Sequence, residues 1–271
     1  AMVDDFPPVA FPAADEPLLA PFGPVDYAAW RELVARDLKG ADFDRRLVSH
    51  LPEGLAVQPL YVGPVSAAAA AQRPVAPEAA AWRVAQPHHA SDLAAARDGI
   101  AADLGRGVDG LVLTLGAAGR RGLDPDSPAA ATLPADGLPI ATSQDFAALL
   151  GDADLAATAV YLQPGAAGLA AAALWVDAAR RLGVAPQALT GSFGLDPVGA
   201  LARSGSLPGS LDGAWRDTVD VAAWAAEHAP GLRAVAIDAR VWQDGGGHAG
   251  QELAFALATG VATLRALEAG G

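Results

Sequence analysis

Short apolar runs alternate with longer amphipathic stretches through the second two-thirds of the chain. The runs Trp82–Ala85, Gly110–Leu115, Ala157–Leu162, Ala188–Phe193 and Leu232–Ala239 have strand length, and helical patterns follow near 91–105, 143–150, 166–182, 214–229 and 249–268. Runs that are apolar at successive positions bury both faces, which predicts a parallel sheet covered by helices. Five such units complete an open doubly wound sheet. A closed (β/α)8 barrel needs eight strands and about 250 residues, more than the part of the chain from Trp82 onward holds. The pattern therefore leaves two architectures open, an open sheet or an unfinished barrel.

Before Trp82 the texture differs. Residues 1–25 are rich in Pro and Ala with little periodicity and read as an extended arm. Asp26–Leu38 places Trp30, Leu33, Val34 and Leu38 on one helical stripe, with Gly40 where a C-terminal cap belongs. A polar alternating stretch follows, then a short strand within Leu55–Tyr61, and residues 63–81 read as a linker. The expected division is 1–81, an arm and helix for subunit association, and 82–271, the βα domain.

Charge and composition narrow the functions. With 18 Lys+Arg against 31 Asp+Glu the net charge is −13, which repels nucleic acid and anionic membranes. The absence of cysteine excludes disulfides, thiolate nucleophiles and cysteine metal sites. Ala1–Pro8 carries no basic residue and does not read as a signal peptide. Gln, Arg, Pro and Glu interrupt the alanine-rich stretches, so no membrane span is expected. A soluble, cytoplasmic protein fits these features.

Three patterns bear on chemistry. Gly245-Gly246-Gly247-His248-Ala249-Gly250 satisfies G-x-G-x-x-G between a predicted strand and a helix. Arg240–Asp244 separates that strand from the first glycine, however, and no later strand brings a ribose-binding carboxylate, so a βα loop reads better. His88 and His89 lie just past the first predicted strand. Sequence neighbours point apart and cannot chelate as an i, i+4 pair does, and His50, His228 and His248 show no ligand spacing, so solvated loop histidines and no metal site are expected. Asp196, Asp238 and Asp244 fall at strand ends, where parallel α/β folds place their sites, yet without a paired histidine they read as loop acids. The residues alone reveal no active site.

Two stretches carry a resemblance. Leu38–Leu47 (LKGADFDRRL), with Gly54-Leu55, Gln58–Tyr61 and the upstream Trp30, resembles the N-terminal region of methylmalonyl-CoA mutases. Gln251–Val261 (QELAFALATGV) resembles the long helix after the fifth barrel strand of that family, and Arg83, Asp124–Pro128 and Gln243–Gly246 fall in register between them. The resemblance is nearest to the non-catalytic small subunit of the heterodimeric bacterial enzymes. It implies an arm embracing a partner, a (β/α)8 barrel of TIM type, and a cobalamin-binding domain. Catalytic members isomerise acyl-CoA along the barrel axis with adenosylcobalamin, and the cofactor supplies the radical chemistry.

The sequence departs from the catalytic pattern at each position that can be aligned. Arg-Gln-Tyr-Ala-Gly becomes Arg83-Val84-Ala85-Gln86-Pro87, and Thr-Met-Asn-Gly becomes Leu162-Gln163-Pro164-Gly165. Gly-Thr-Ile-Gln-Asn-Asp becomes Gly191–Asp196 (GSFGLD), and Gly-Tyr-His-Met-Gln-Glu becomes Ala239–Asp244 (ARVWQD). The tyrosine is Ala85 and the histidine is Val241, which removes donors for an acyl carbonyl. Leu111–Leu115 and Val160–Leu162 read as bulky residues filling the barrel. No Asp-x-His-x-x-Gly occurs, so this chain is expected to hold no cofactor itself, with adenosylcobalamin implied only for the complete complex.

The resulting expectation is about five of the eight βα units of a barrel, preceded by an arm. Its role would be a non-catalytic structural subunit, partnered by a catalytic mutase subunit or by a chain completing the barrel. The alternative is a CoA- or anion-binding regulatory module. Arg83, His88, His89, Gln163, Asp196, Arg240, Gln243 and Asp244 are the expected ligand-facing barrel-end positions, with no catalytic residue among them. A nicotinamide enzyme built on the Gly245 loop is the third and weakest reading.

Overall fold

A computed structural model describes residues 26–63 and 82–270. The expected arm, and all but the first residue of the linker, lie outside the described residues. The chain divides into two compact units, 1–77 and 78–271.

In the first unit Asp26 accepts from the Ala29 N–H at 2.8 Å and starts α1 (Tyr27–Asp37). The turn after it needs two left-handed residues, Lys39 and Gly40. Asp42 caps α2 (Phe43–Leu47) in the same way. That helix was not foreseen, since five residues are too few to show a helical period. The expected short strand is β2 (Ala56–Val57), paired antiparallel with β1 (Ser49–His50). Aromatic contacts tie the helices together: Trp30 meets Phe43 edge-on at 6.3 Å, and the Arg31 guanidinium lies 3.5 Å above the Phe43 ring. None of the described residues of this unit is buried.

The second unit runs β3 (Ala85–His88), α3 (Leu93–Leu104), β4 (Gly110–Thr114), α4 (Ala117–Arg120), α5 (Ser143–Leu150), β5 (Ala159–Gln163), α6 (Gly168–Arg181), β6 (Gly191–Leu195), α7 (Pro197–Ser204), α8 (Leu211–His228), β7 (Leu232–Val235), α9 (Arg240–Asp244) and α10 (Ala249–Gly270). The strands are parallel and lie in consecutive order, β3-β4-β5-β6-β7. Doubly wound sheets reverse their strand order at a switch point. Here Ile100 of α3, Phe146 of α5, Trp175 and Val176 of α6, and Val221 and Ala225 of α8 pack into a single core with Leu111, Leu113, Val160, Leu162, Phe193 and Leu232. These four crossover helices therefore cover one face, as right-handed crossovers in a consecutive sheet require. This is the singly wound arrangement of a partial TIM-type barrel, and it resolves the choice the residue pattern left open.

Two sequence expectations are corrected here. The first strand lies three residues later than Trp82–Ala85, because the Gly110 N–H donates to the Val84 carbonyl at 3.1 Å and sets Ala85 opposite Gly110. Trp82 is left 88% exposed. The last strand ends at Val235, and the remainder of Leu232–Ala239 is loop. Short helices α7 and α9, built after Asp196 and Ala239, were also missed. In β6 a bulge falls between Ser192 and Leu195. Gly194 sits there at φ +72°, where a Cβ would lie 2.0 Å from the Leu162 carbonyl oxygen, so only glycine fits.

Candidate functional site at the carboxyl ends of the strands

Alternation along each strand decides what faces the barrel axis. Leu111, Leu113, Leu115, Val160 and Leu162 belong to the core beneath the helices, so they do not fill the barrel as the sequence suggested. Runs of consecutive apolar residues conceal which alternate set is turned inward. The axis-facing set at these positions is Val112, Thr114, Tyr161 and Gln163, in register as Val112–Tyr161 and Thr114–Gln163. Thr114 Oγ1 donates to Gln163 Oε1 at 2.6 Å. Next to them Ser192 Oγ donates to the Arg233 carbonyl at 3.1 Å and accepts the Gly194 N–H at 3.0 Å. The inner face is thus largely polar and internally bonded.

Beyond β6 and β7 lies the densest ionic cluster of the described residues. Asp196 is the N-cap of α7: one carboxylate oxygen accepts the Gly199 N–H at 2.9 Å and the other accepts the Asp238 N–H at 3.0 Å. Burial holds the Asp196 carboxyl above its ordinary pKa, against these two backbone bonds. Asp238 receives Arg240 through two bonds of 2.8 Å and Arg203 at 3.0 Å. The Arg240 bond, more than any other influence, depresses its pKa. Asp244 stands 4.0 Å from Arg203. The three acids read as separate loop residues are therefore one cluster. Arg203, the cation joining Asp238 to Asp244, carried no sequence signal because helical arginines are commonplace.

Over β4 and β5, Arg120 donates to the Leu115 carbonyl and pairs with Asp136 at 2.8 Å. Its own carbonyl accepts the Ala166 N–H at 2.7 Å, fastening the loops after the two strands to each other.

The expected barrel-end positions do not converge. Gln163, Asp196, Arg240, Gln243 and Asp244 lie at the carboxyl ends, as does His89, whose carbonyl accepts the Gly137 N–H at 3.0 Å. Arg83 lies at the opposite end, reaching the carbonyls of Asp109 and Ala157 just before β4 and β5. His88 is not a solvated loop residue. It ends β3, is 9% exposed, and directs Nε2 toward Asp103 of α3 at 3.6 Å, within the helix layer. Burial lowers its pKa and outweighs the pull of Asp103. Arg240 is committed to Asp238, so the cations expected to attract an anion are scattered or neutralised. The Gly245–Gly250 match sits between α9 and α10 and not between a strand and a helix. The strand-to-helix turn that aims backbone N–H groups at a pyrophosphate is therefore missing.

The comparisons with known proteins agree with this fold. The family profile described as methylmalonyl-CoA mutase matches residues 71–271. A methylmalonyl-CoA mutase small subunit from Streptomyces virginiae is 31% identical over 267 residues, covering 92% of this chain and 39% of that relative. Probable methylmalonyl-CoA mutase large subunits from Mycobacterium bovis and Mycobacterium tuberculosis are 28% identical over 239 residues, covering 82% of this chain and 32% of each relative. The chain thus spans less than half the length of these relatives. With the consecutive parallel sheet, its single helix layer and a profile match running from before β3 to the last residue, the chain belongs to the methylmalonyl-CoA mutase family.

Proposed function

We propose that this chain is a non-catalytic structural component of a cytoplasmic, adenosylcobalamin-dependent acyl-CoA mutase, engaging a catalytic mutase subunit as its partner. The observation that carries this reading is the first unit, in which none of the described residues is buried. Among residues 26–63, Leu33, Leu51, Leu55, Tyr61 and Val62 are exposed. Such a surface is stabilised by docking on another protein. A relative named as a small subunit, and others named as large subunits, support a subunit partner.

The site chemistry points the same way. Where catalytic members carry tyrosine and histidine this chain has Ala85 and Val241. Two of the five histidines are engaged within the fold. His88 is turned into the helix layer against Asp103, and His228 is stacked on Trp224 of α8 with Nδ1 at the Trp224 carbonyl. The test is to purify the chain, assay it with methylmalonyl-CoA and adenosylcobalamin, and mix it with the mutase large subunit of the same organism. No turnover alone and co-elution with the large subunit are expected. Turnover by the isolated chain, or failure to associate, would overturn the reading.

A further inference from the structure

The alanine-rich helix α6 is unevenly loaded. Trp175, its largest side chain, is buried toward α5, with its ring 5.9 Å from that of Phe146. The side turned to α8 carries Leu169, Ala172, Ala173 and Val176, at the i, i+3 and i+4 spacing of one helical face. Alanines there are too short to fill the interval between two crossover helices, where larger side chains would interdigitate. The result is a groove of about 400 Å³ whose floor is Phe193 of β6 and whose far wall is Val221 and Trp224 of α8. The Trp224 indole is fixed from both sides, stacking on His228 at 5.1 Å and 7° and leaning on Phe193 at 6.4 Å. Because β6 pairs with β5 on one side and β7 on the other, every wall of the groove belongs to the described fold.

Length and charge say what fits. From Leu169 to Arg180 the groove follows α6 for about 16 Å of helix axis. Water in so apolar a channel finds few hydrogen-bond partners, so a slender apolar occupant gains the burial of its chain. The charges on the rim are not equivalent. Asp177 is taken by Arg181 at 2.6 Å. Arg180, which reaches Asp177 only through its field, has no ion-pair partner among the described residues. The other rim acid, Asp220, lies toward the opposite end. Leu169 borders a second, smaller cavity together with Asp217 and Thr218 of α8, which sets Asp220 near the Leu169 end. The groove therefore ends on one unpaired cation, the complement of an anionic head on an apolar chain.

We propose that the groove between α6 and α8 is a binding site for an unbranched aliphatic carboxylate, with the chain over Phe193 between Ala173 and Trp224 and the carboxylate on the Arg180 guanidinium. The site lies in the helix layer, apart from the ionic cluster beyond β6 and β7. It does not depend on the structural-component reading, and the failure of either leaves the other standing.

Calorimetric titration of the whole chain with decanoate, kept below micelle formation, tests the site. One decanoate per chain is expected. Octanoate should bind about tenfold more weakly for its missing methylenes, and decanol about tenfold more weakly for its missing charge. Arg180→Gln should bring decanoate and decanol to equal affinity. Ala173→Leu, at an exposed position, fills the groove without entering the core, and should abolish binding with circular dichroism unchanged. Helix α10 is the competing sink for an apolar chain. It is long and apolar enough to cross a membrane by length and composition, contrary to the sequence expectation, and Leu257 on it is exposed. Leu257→Glu should therefore leave the titration unchanged. No saturable binding at millimolar decanoate, equal affinity of the wild type for decanol, persistence of binding in Ala173→Leu, or its loss in Leu257→Glu would each overturn the proposal.

Discussion

Replacing Asp196 by alanine measures how much the ionic cluster beyond β6 and β7 contributes to the fold. The carboxylate makes two bonds, to the Gly199 N–H at the start of α7 and to the Asp238 N–H in the loop after β7. Loss of an N-cap costs about 0.5–2 kcal/mol, and a backbone N–H left without a partner costs about 1–3 kcal/mol. Wild type already bears the cost of holding this carboxylate half-buried, which alanine relieves, so the expected loss is about 2 kcal/mol, toward the lower end. In a domain of this size that lowers Tm by about 4–8 °C. Asp196→Asn can satisfy one of the two N–H groups and should fall between wild type and alanine.

The pH dependence supplies a second readout. Because burial raises the Asp196 pKa in the fold, the native state takes up its proton before the unfolded chain does as pH falls. The cost of the charge is therefore present above the folded pKa and is relieved on acidification through it, toward the unfolded value near 4. Wild type should gain stability relative to Asp196→Asn as pH falls toward about 4. Urea titrations of the three proteins at several pH values decide the matter. An alanine variant within about 0.5 kcal/mol of wild type, or a gap to Asp196→Asn that moves the opposite way with pH, would refute the reasoning.

Two further outcomes are expected. Gly194→Ala places a methyl against the Leu162 carbonyl at a positive φ, and should cost at least about 3 kcal/mol or prevent folding. Soluble yield and circular dichroism report it, and near-wild-type stability would show that the bulge relaxes. His88, held neutral by burial, binds fewer protons in the fold than in the unfolded chain between its lowered pKa and about 6.5. It should therefore cost stability as pH falls below that value. His88→Leu should flatten the loss between pH 7 and 5.5, as read from denaturant midpoints, and an unchanged slope would count against the lowered pKa.

The βα alternation was legible because each strand and its covering helix repeat a strong hydrophobic signal. Strand order was not, since pairing is a long-range property, yet order is what distinguishes the partial barrel from an open sheet. The direction of Leu111 and Leu113 was also hidden, because a strand apolar at consecutive positions looks alike whichever set is turned inward. At the site, Asp196 and Asp238 were visible as strand-end acids. Their assembly was not, because it depends on the Asp238 backbone N–H and on Arg203, thirty-five residues from the carboxylate it meets. His88 was misplaced by a strand offset of three residues, enough to move it from an imagined loop into the helix layer.

The consecutive strand order also bears on how the chain is made. Every strand of the second unit after β3 pairs with the one synthesised just before it, so pairing need not wait for a distant segment to emerge from the ribosome. Each βα unit can dock on its predecessor as it appears, with the short loop closures that favour rapid folding. Growth then proceeds in one direction, from β3 toward β7, each new strand adding to the edge opposite β3.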